Sequence, residues 1–133
     1  MTRPELCVGA VAIHDDCLLL IERATEPGAG QWSLPGGRVE HGETMKSAVE
    51  REVREETGLV VTALDVIGWV ERIELSHHFV IVDFRVAVGD TLVPTAGDDA
   101  RDAAWVPLSA VPSRRLVEGL LDFLVEHGVL TPG

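Results

Sequence analysis

The segment GGRVEHGETMKSAVEREVREETGL, residues Gly36 to Leu59, decides how the rest of the chain is organised. Thr44 is a good helix N-cap and Gly58 a natural helix stop, so a helix is predicted from Met45 to Thr57. At about 100° per residue, one side of this helix carries apolar residues and is predicted to be buried: Ala48, Val49 and Val53. The opposite side is predicted to face water: Ser47, Glu50 and Arg54.

Three glutamates of this helix, Glu52, Glu55 and Glu56, fall on or beside its apolar side. Carboxylates this close repel one another, and partial burial raises the cost of ionising each of them. Either their pKa values rise or a cation lies among them, and we favour the cation. Oxygen ligands of this kind suit Mg²⁺ or Mn²⁺. The alternative is an ordinary solvated helix rich in Glu and Arg, which the angular placement and the preceding glycines disfavour.

The spacing of these residues resembles the Nudix box, the signature of the Nudix hydrolase family. Gly37 is followed after five residues by Glu43, and after seven more by the run REVREETGL at positions 51–59. Every fixed position of the motif is filled. The resemblance implies that water attacks phosphorus in a nucleoside diphosphate linked to another moiety, an ADP-ribose-like or other nucleotide derivative, with Mg²⁺ as cofactor and Mn²⁺ as a possible replacement.

The same resemblance assigns roles to individual residues. It implies four metal-binding positions: the carbonyl of Gly37 and the carboxylates of Glu52, Glu55 and Glu56. It also implies that Arg51 and Glu43 orient these groups. On a helix, Arg51 lies close enough to the acids to hold Glu55 or Glu43 in one rotamer, although an ordinary surface ion pair is the alternative.

Composition narrows the class of protein. A chain of 133 residues with 46% hydrophobic content and no evident linker fits one globular domain, residues 1–133. The net charge of −11 disfavours a nucleic-acid polymer or an anionic membrane as partner. No apolar run long enough to cross a bilayer and no signal-peptide pattern is seen, so a cytoplasmic location is expected. A small anionic nucleotide would need local positive charge, for which Arg23 and Arg38 are candidates. Cys7 and Cys17 are expected to remain reduced.

The remaining segments predict the fold. Alternating and β-branched patterns predict strands at 6–13, 17–22, 32–35, 60–72, 78–88 and 103–106, with a last helix at 113–127. The strand at 78–88 is the most apolar and should be central. The fold class is therefore α/β, with a mixed β-sheet between helices. This agrees with the Nudix-like α/β/α sandwich that the resemblance implies.

Further candidate site residues lie outside the central segment. Asp98, Asp99 and Asp102 precede Trp105, and the resemblance favours Asp99 as an extra metal ligand or base; turn chemistry is the alternative. Glu55 is the other candidate for the base that accepts the proton. His78 is a candidate for substrate contact, and Trp32 for stacking on a nucleobase, with core packing as its alternative.

The sequence does not distinguish between several substrates and oligomeric states. The motif equally serves a (d)NTP pyrophosphohydrolase of the sanitising type. Residues 72–75 contain no proline, which some Nudix enzymes acting on ADP-ribose carry at this distance from the box. A nucleotide-sensing module without catalysis is the alternative from another class, but such a module would be expected to lack box acids. The sequence does not determine the oligomeric state, and a homodimer is one option.

Overall fold

A computed structural model describes residues 3–97 and 99–132, so Asp98 lies outside the described residues. The elements follow one another along the chain as β1 (Glu5–His14), β2 (Cys17–Arg23), β3 (Trp32–Ser33), β4 (Gly36–Arg38), α1 (Met45–Thr57), β5 (Val61–Ile73), β6 (His78–Val88), β7 (Ala100–Pro107), a 3-10 helix (Leu108–Ser113) and α2 (Leu120–Glu126). Within the described ranges, neither the length nor the hydropathy of any helix suffices for a membrane span.

The strands form one mixed sheet, ordered β3-β2-β1-β6-β5, with β4 paired to β1 and β7 paired to β2. β1 pairs in parallel with β6 and antiparallel with β2 and β4. One apolar cluster lies between α1 and the sheet, and a second packs α2 against the other side. The predicted mixed sheet between helices is confirmed, as is the inner position of β6.

Helix α1 has the predicted ends. The Thr44 hydroxyl accepts a hydrogen bond from the N–H of Ser47 (3.1 Å), and Gly58 closes the helix at φ 75°. Its apolar side is buried as predicted. The prediction that Glu50 faces water is wrong: its carboxylate accepts the N–H of Ala63 at 2.8 Å, next to a register shift in β5. An irregular strand needs such a partner for its backbone donor.

One row of residues crosses four strands at the middle of the sheet. Gly36 of β4 lies opposite Gly9 of β1, Gly9 lies opposite Asp83 of β6, and Asp83 lies opposite Gly68 of β5. Opposed residues point to the same face of a sheet. A Cβ at Gly9 would overlap the Asp83 carboxylate, and a Cβ at Gly36 would overlap the Val8 carbonyl oxygen. The glycines therefore permit close approach of the backbone and of Asp83.

Two strand predictions needed correction. β4 was not predicted as a strand, because Pro35 and two glycines hide a three-residue segment that pairs with β1. β7 begins at Ala100 instead of residue 103, since β2 continues through an irregularity at Glu22 and Arg23 and pairs with Ala100. Short pairings of this kind depend on the partner strand, which local patterns do not reveal.

The C-terminal helix is much shorter than predicted. Residues 114–117 are not helical; instead the N–H of Trp32 donates to the carbonyl of Arg115 (2.7 Å), and the N–H of Val117 donates to the carbonyl of Trp32 (3.0 Å). Gly119, at φ 83°, then starts α2 at Leu120. Only the last two turns of the predicted helix are helical. The residues before them pair with β3, and this pairing outweighs their helix propensity.

The two cysteines are not bonded to each other. Cys17 pairs with His14 across the first hairpin, and Cys7 lies further along β1, where it pairs with Arg38. Both thiols are free. The predicted separation of the two cysteines is confirmed, because the hairpin register keeps the two side chains apart.

Candidate functional site

Two of the predicted metal-binding glutamates point inward where α1 meets β4. The Glu56 carboxylate accepts the N–H of Gly36 at 2.7 Å. The Glu52 side chain is 14% exposed and lies where a Cβ on Gly37 would be. The glycine pair is therefore required at this point, because any side chain on Gly37 would displace the Glu52 carboxylate.

Glu55 differs from this inward pair. Its side chain is 56% exposed, and its carboxylate accepts a hydrogen bond from Arg51 at 3.2 Å. Among residues 3–97 and 99–132, no three His, Cys, Asp or Glu side chains converge closely enough to hold an ion by themselves. The prediction of three acids turned inward together is thus met by two of them. Mutual repulsion favours this separation. Glu56 accepts a backbone N–H, whereas Arg51 Nη1 faces both Glu52 at 3.5 Å and Glu55 at 3.2 Å.

Arg51 links the acids to the glycine turn. Its Nε and Nη2 donate to the two oxygens of Glu43 at 2.7 and 2.9 Å, and Nη2 also donates to the carbonyl of Arg38 at 3.0 Å. The hydrogen bond from Arg51 lowers the pKa of Glu43 to about 2, and the pKa of Arg51 is raised in turn. The predicted reach of Arg51 to Glu43 and Glu55 is confirmed. A planar, bidentate pair of this kind fixes both side chains.

The inward carboxylates are only partly compensated by positive charge: Arg51 Nη1 lies 3.5 Å from Glu52, and the charge of Arg23 acts on Glu56. Burial raises the pKa of Glu56 to about 7; the Gly36 N–H lowers it, and the charge of Glu52 raises it. Burial likewise raises the pKa of Glu52, against the opposing effect of Arg51. Both carboxylates would ionise more readily beside a cation.

The donor chemistry of this cluster fits a hard divalent cation. The inward carboxylates of Glu52 and Glu56 lie beside the Gly37 backbone, and all the available donors are oxygens. Mg²⁺ and Mn²⁺ prefer carboxylate and carbonyl oxygens and keep some waters in their coordination shell. The cradle at Gly37, which the Glu52 carboxylate enters only because no Cβ fills it, agrees with such an ion. The residues present therefore fit the metal that the motif implies.

A loop after β6 closes over the end of α1 and brings Asp99 to the acids. The N–H of Thr95 donates to the backbone carbonyl of Thr57 (2.8 Å), and that of Gly97 donates to the backbone carbonyl of Glu56 (3.0 Å). A Cβ on Gly97 would overlap the carbonyl of Glu55, so this close contact requires glycine. Asp99 is exposed, and its charge raises the pKa of both Glu52 and Glu56. Asp102 lies in β7 instead of the loop.

A cavity of about 810 Å³ adjoins the acidic cluster across β4. Its wall includes Gly36, Gly37, Arg23 and Arg38. Arg23 donates from Nε to the carbonyl of Pro27 (2.8 Å), and its charge lowers the pKa of Glu56. The Nε of Arg38 pairs with Glu5 at 2.6 Å. Both predicted arginines therefore line the cavity at the end nearest the acids.

The structure places His78 and Trp32 away from this cavity. Trp32 is 8% exposed in the core behind α2, with the Arg114 guanidinium 4.6 Å from its ring centre. The cavity wall contains His77, which stacks on Phe79 at 5.3 Å, and not His78. Alternation along β6 explains this, because Phe79 faces the cavity and its neighbour His78 faces the other side. Neither His78 nor Trp32 therefore belongs to the candidate site.

Asp83 is the residue of the cavity wall that the sequence analysis missed. It is 5% exposed, and burial raises its pKa to about 7. The sequence contains a pattern that indicates this residue: it is the single carboxylate within the most apolar strand, on the same side as Phe79 and Ile81. An ionisable group at such a position is either paired or functional.

The metal-free protein should lose stability as the pH rises. Glu56 and Asp83 have folded-state pKa values of about 7, above their ordinary values of 4.5 and 3.8. The folded chain therefore keeps protons that the unfolded chain has released, and this stabilisation is lost as the pH rises from about 4 through 7. The loss is at most about 3 to 4 kcal/mol per group.

Urea denaturation in chelator between pH 5 and pH 8 measures this effect. The double variant Glu56→Gln/Asp83→Asn should show a smaller fall in the free energy of unfolding than the parent. Charge repulsion within the acidic chain as a whole lowers the free energy of unfolding of both proteins as the pH rises. Equal slopes for the two proteins would contradict the assignment of the raised pKa values.

Comparisons with known proteins agree with this fold and site. The family model for the NUDIX domain matches residues 3–125. The chain is 38% identical over 112 residues to an ADP-ribose pyrophosphatase of Methanocaldococcus jannaschii, a match that covers 82% of this chain and 65% of that protein. It is 42% identical over 108 residues to the nucleoside triphosphatase NudI of Salmonella schwarzengrund, covering 70% of this chain and 74% of the relative.

A solved structure gives the same result for the fold. The MutT NUDIX hydrolase from Burkholderia pseudomallei superposes with a TM-score of 0.82 at 28% identity, over 92% of this chain and 97% of that one. The α/β sandwich and the acidic helix define a Nudix domain. The chain belongs to the Nudix family.

Proposed function

We propose that this protein hydrolyses a phosphoanhydride bond of a nucleoside diphosphate linked to another moiety, with Mg²⁺ or Mn²⁺ as cofactor. The observation that carries the proposal is the inward pair of Glu52 and Glu56, held against the Gly36-Gly37 turn at the mouth of a cavity. Arg23 and Arg38 line the same end of that cavity. Carboxylates for a metal and cations for phosphate thus lie side by side.

The chain's own residues account for binding and orientation. Glu52, Glu56 and the carbonyl of Gly37 would hold the metal, with Glu55 at the exposed side of the cluster. Arg51 fixes Glu43 and the Arg38 carbonyl, so that the turn and the helix keep their relative positions. Arg23 and Arg38 would bind the phosphates, where fixed cations stabilise developing negative charge without reorganising.

The proton of the attacking water needs an acceptor near the inward acids. Glu55 is 56% exposed and only partly engaged by Arg51, while Asp99 is exposed and close enough to influence the pKa of Glu52 and Glu56. Either carboxylate can accept the proton, and both remain candidates. When bound, the divalent ion would neutralise phosphate charge and lower the pKa of the attacking water.

The substrate is a small nucleotide derivative. The cavity is of the size typical for small-molecule sites. The ADP-ribose pyrophosphatase relative supports a nucleoside diphosphate derivative, and the NudI relative supports a nucleoside triphosphate as the second candidate. The cytoplasmic location and the assembly state stay predictions.

A substrate screen tests the proposal. The purified parent protein is incubated with nucleotide sugars, dinucleotides and nucleoside triphosphates, with Mg²⁺, with Mn²⁺, or with chelator, and the released phosphate products are resolved by chromatography. We expect metal-dependent cleavage of at least one nucleoside diphosphate derivative. Cleavage of triphosphates alone would favour the second candidate. Nucleotide binding with no turnover in either metal would support a sensing module and contradict the proposed enzyme.

A further inference from the structure

Asp83 is a buried carboxylate without a partner. It is 5% exposed, and burial is the sole cause of its raised pKa. In the ranges 3–97 and 99–132 its side chain makes no hydrogen bond or salt bridge. Neither of its oxygens is completely buried and unpaired, so the carboxylate is accessible from the cavity that it lines. An unpaired buried carboxylate costs stability. Such a group is retained where it binds something that enters the cavity.

The sheet register places Asp83 at a fixed distance from the acidic cluster. Gly36, whose N–H holds Glu56, lies two strands away from Asp83 in the same cross-strand row, with Gly9 between them. Adjacent strands lie about 4.8 Å apart, so the backbones of Gly36 and Asp83 are about 10 Å apart. The Asp83 carboxylate lies over Gly9, in the place of the missing Cβ, and so projects from β6 towards the glycine turn. One extended ligand can therefore contact both the turn and Asp83.

The cavity wall around Asp83 is suited to a flat ring. The apolar part of the wall includes Val70, Phe79, Ile81, Leu120 and Phe123. Arg23 and Arg38 line the same cavity and suit phosphate. A nucleotide with its phosphates near the arginines would thus present its base to Asp83. The free carboxylate there is an acceptor for the edge of that base.

We propose that Asp83 determines base specificity by hydrogen-bonding the edge of a guanine-type base, whose ring N–H and exocyclic amine donate in parallel to its two oxygens. The inference rests on the proposed function, which places the phosphates at Arg23 and Arg38. A carboxylate with both oxygens free requires two adjacent donors. Adenine offers one amine beside an acceptor nitrogen, which a carboxylate repels. The hydroxyls of ribose are the same in guanosine, inosine and adenosine, so a preference among these three bases excludes the ribose as the partner of Asp83.

The test compares guanosine, inosine and adenosine forms of one substrate class. Inosine keeps the ring N–H but lacks the amine. The kcat/KM of the parent should fall in the order guanosine, inosine, adenosine, with about 10- to 100-fold between first and last. Asp83→Asn replaces one acceptor by a donor, which should lower the guanosine-to-adenosine ratio about 10-fold or more, mainly through KM. A parent that prefers adenosine, or an unchanged ratio in the variant, would overturn the proposal.

Asp122→Asn is the matched control, since Asp122 is exposed on α2 and does not line the cavity. It should keep the base preference of the parent. The folded state of Asp83→Asn is checked by thermal melting at pH 8, where removing a buried charge should raise the midpoint.

A binding measurement separates this inference from the proposed function. If no substrate is cleaved, GMP, IMP and AMP are titrated calorimetrically into the parent and into Asp83→Asn. Tighter binding of GMP by the parent, lost in the variant, supports the role of Asp83 even when hydrolysis fails. Equal binding of the three nucleotides by the parent overturns it.

Discussion

Glu56→Gln should lower metal-dependent turnover by at least about 10³-fold while the protein remains folded. Glutamine has the size of glutamate, and its carbonyl oxygen can still accept the Gly36 N–H that Glu56 accepts at 2.7 Å. The substitution therefore removes the negative charge and leaves the local contact. Glu52→Gln should behave similarly, because its carboxylate lies in the same cradle beside Gly37. Single-turnover assays with saturating Mg²⁺ measure the loss.

Glu50→Gln is the control for this prediction. Glu50 lies on the same helix, but its carboxylate accepts the N–H of Ala63 in β5 and has no contact with the glycine turn. Glutamine can make the same hydrogen bond, so activity should stay within about twofold of the parent. A Glu56→Gln variant as active as Glu50→Gln would contradict the role of the inward pair. Chelator-resistant activity in the parent would do the same.

The sequence predicted the centre of this protein well because local rules apply there. The cap at Thr44, the stop at Gly58 and the helical period are all set within one segment, so α1 has the predicted ends. The reach of Arg51 to Glu43 also follows from spacing on a helix and a short loop. These features depend on the backbone of one segment and require no knowledge of the fold.

The errors concern residues whose position depends on a distant partner. Residues 114–117 read as helix, yet they pair with Trp32 far earlier in the chain. His78 was preferred as a substrate contact, but the phase of β6 against the sheet turns it away from the cavity. Asp83 was visible in the alternation of β6, but its significance depends on Gly9, in a strand seventy residues earlier. Sheet register is a tertiary property, and local patterns do not contain it.

Gly36→Ala should destabilise the protein by about 3 kcal/mol or more, a large effect for a single methyl group. The new Cβ would overlap the carbonyl oxygen of Val8 and come within 2.9 Å of the Gly9 Cα. Both are backbone atoms of β1, which cannot move aside as a flexible side chain would. β4 would have to separate from β1, and the Gly36 N–H would lose its place beside Glu56.

Gly42→Ala is the matched control for Gly36→Ala, because a Cβ at Gly42 meets no atom within 4 Å and only its φ of 82° is strained. It should cost about 1 kcal/mol. Urea denaturation of both variants and the parent gives the two differences. Since β4 carries both the pairing with β1 and the donor that holds Glu56, Gly36→Ala should lose activity together with stability, and Gly42→Ala should lose little of either. Equal destabilisation by the two substitutions would mean that β4 can shift freely, and the rigid glycine turn assumed for the metal site would then be wrong.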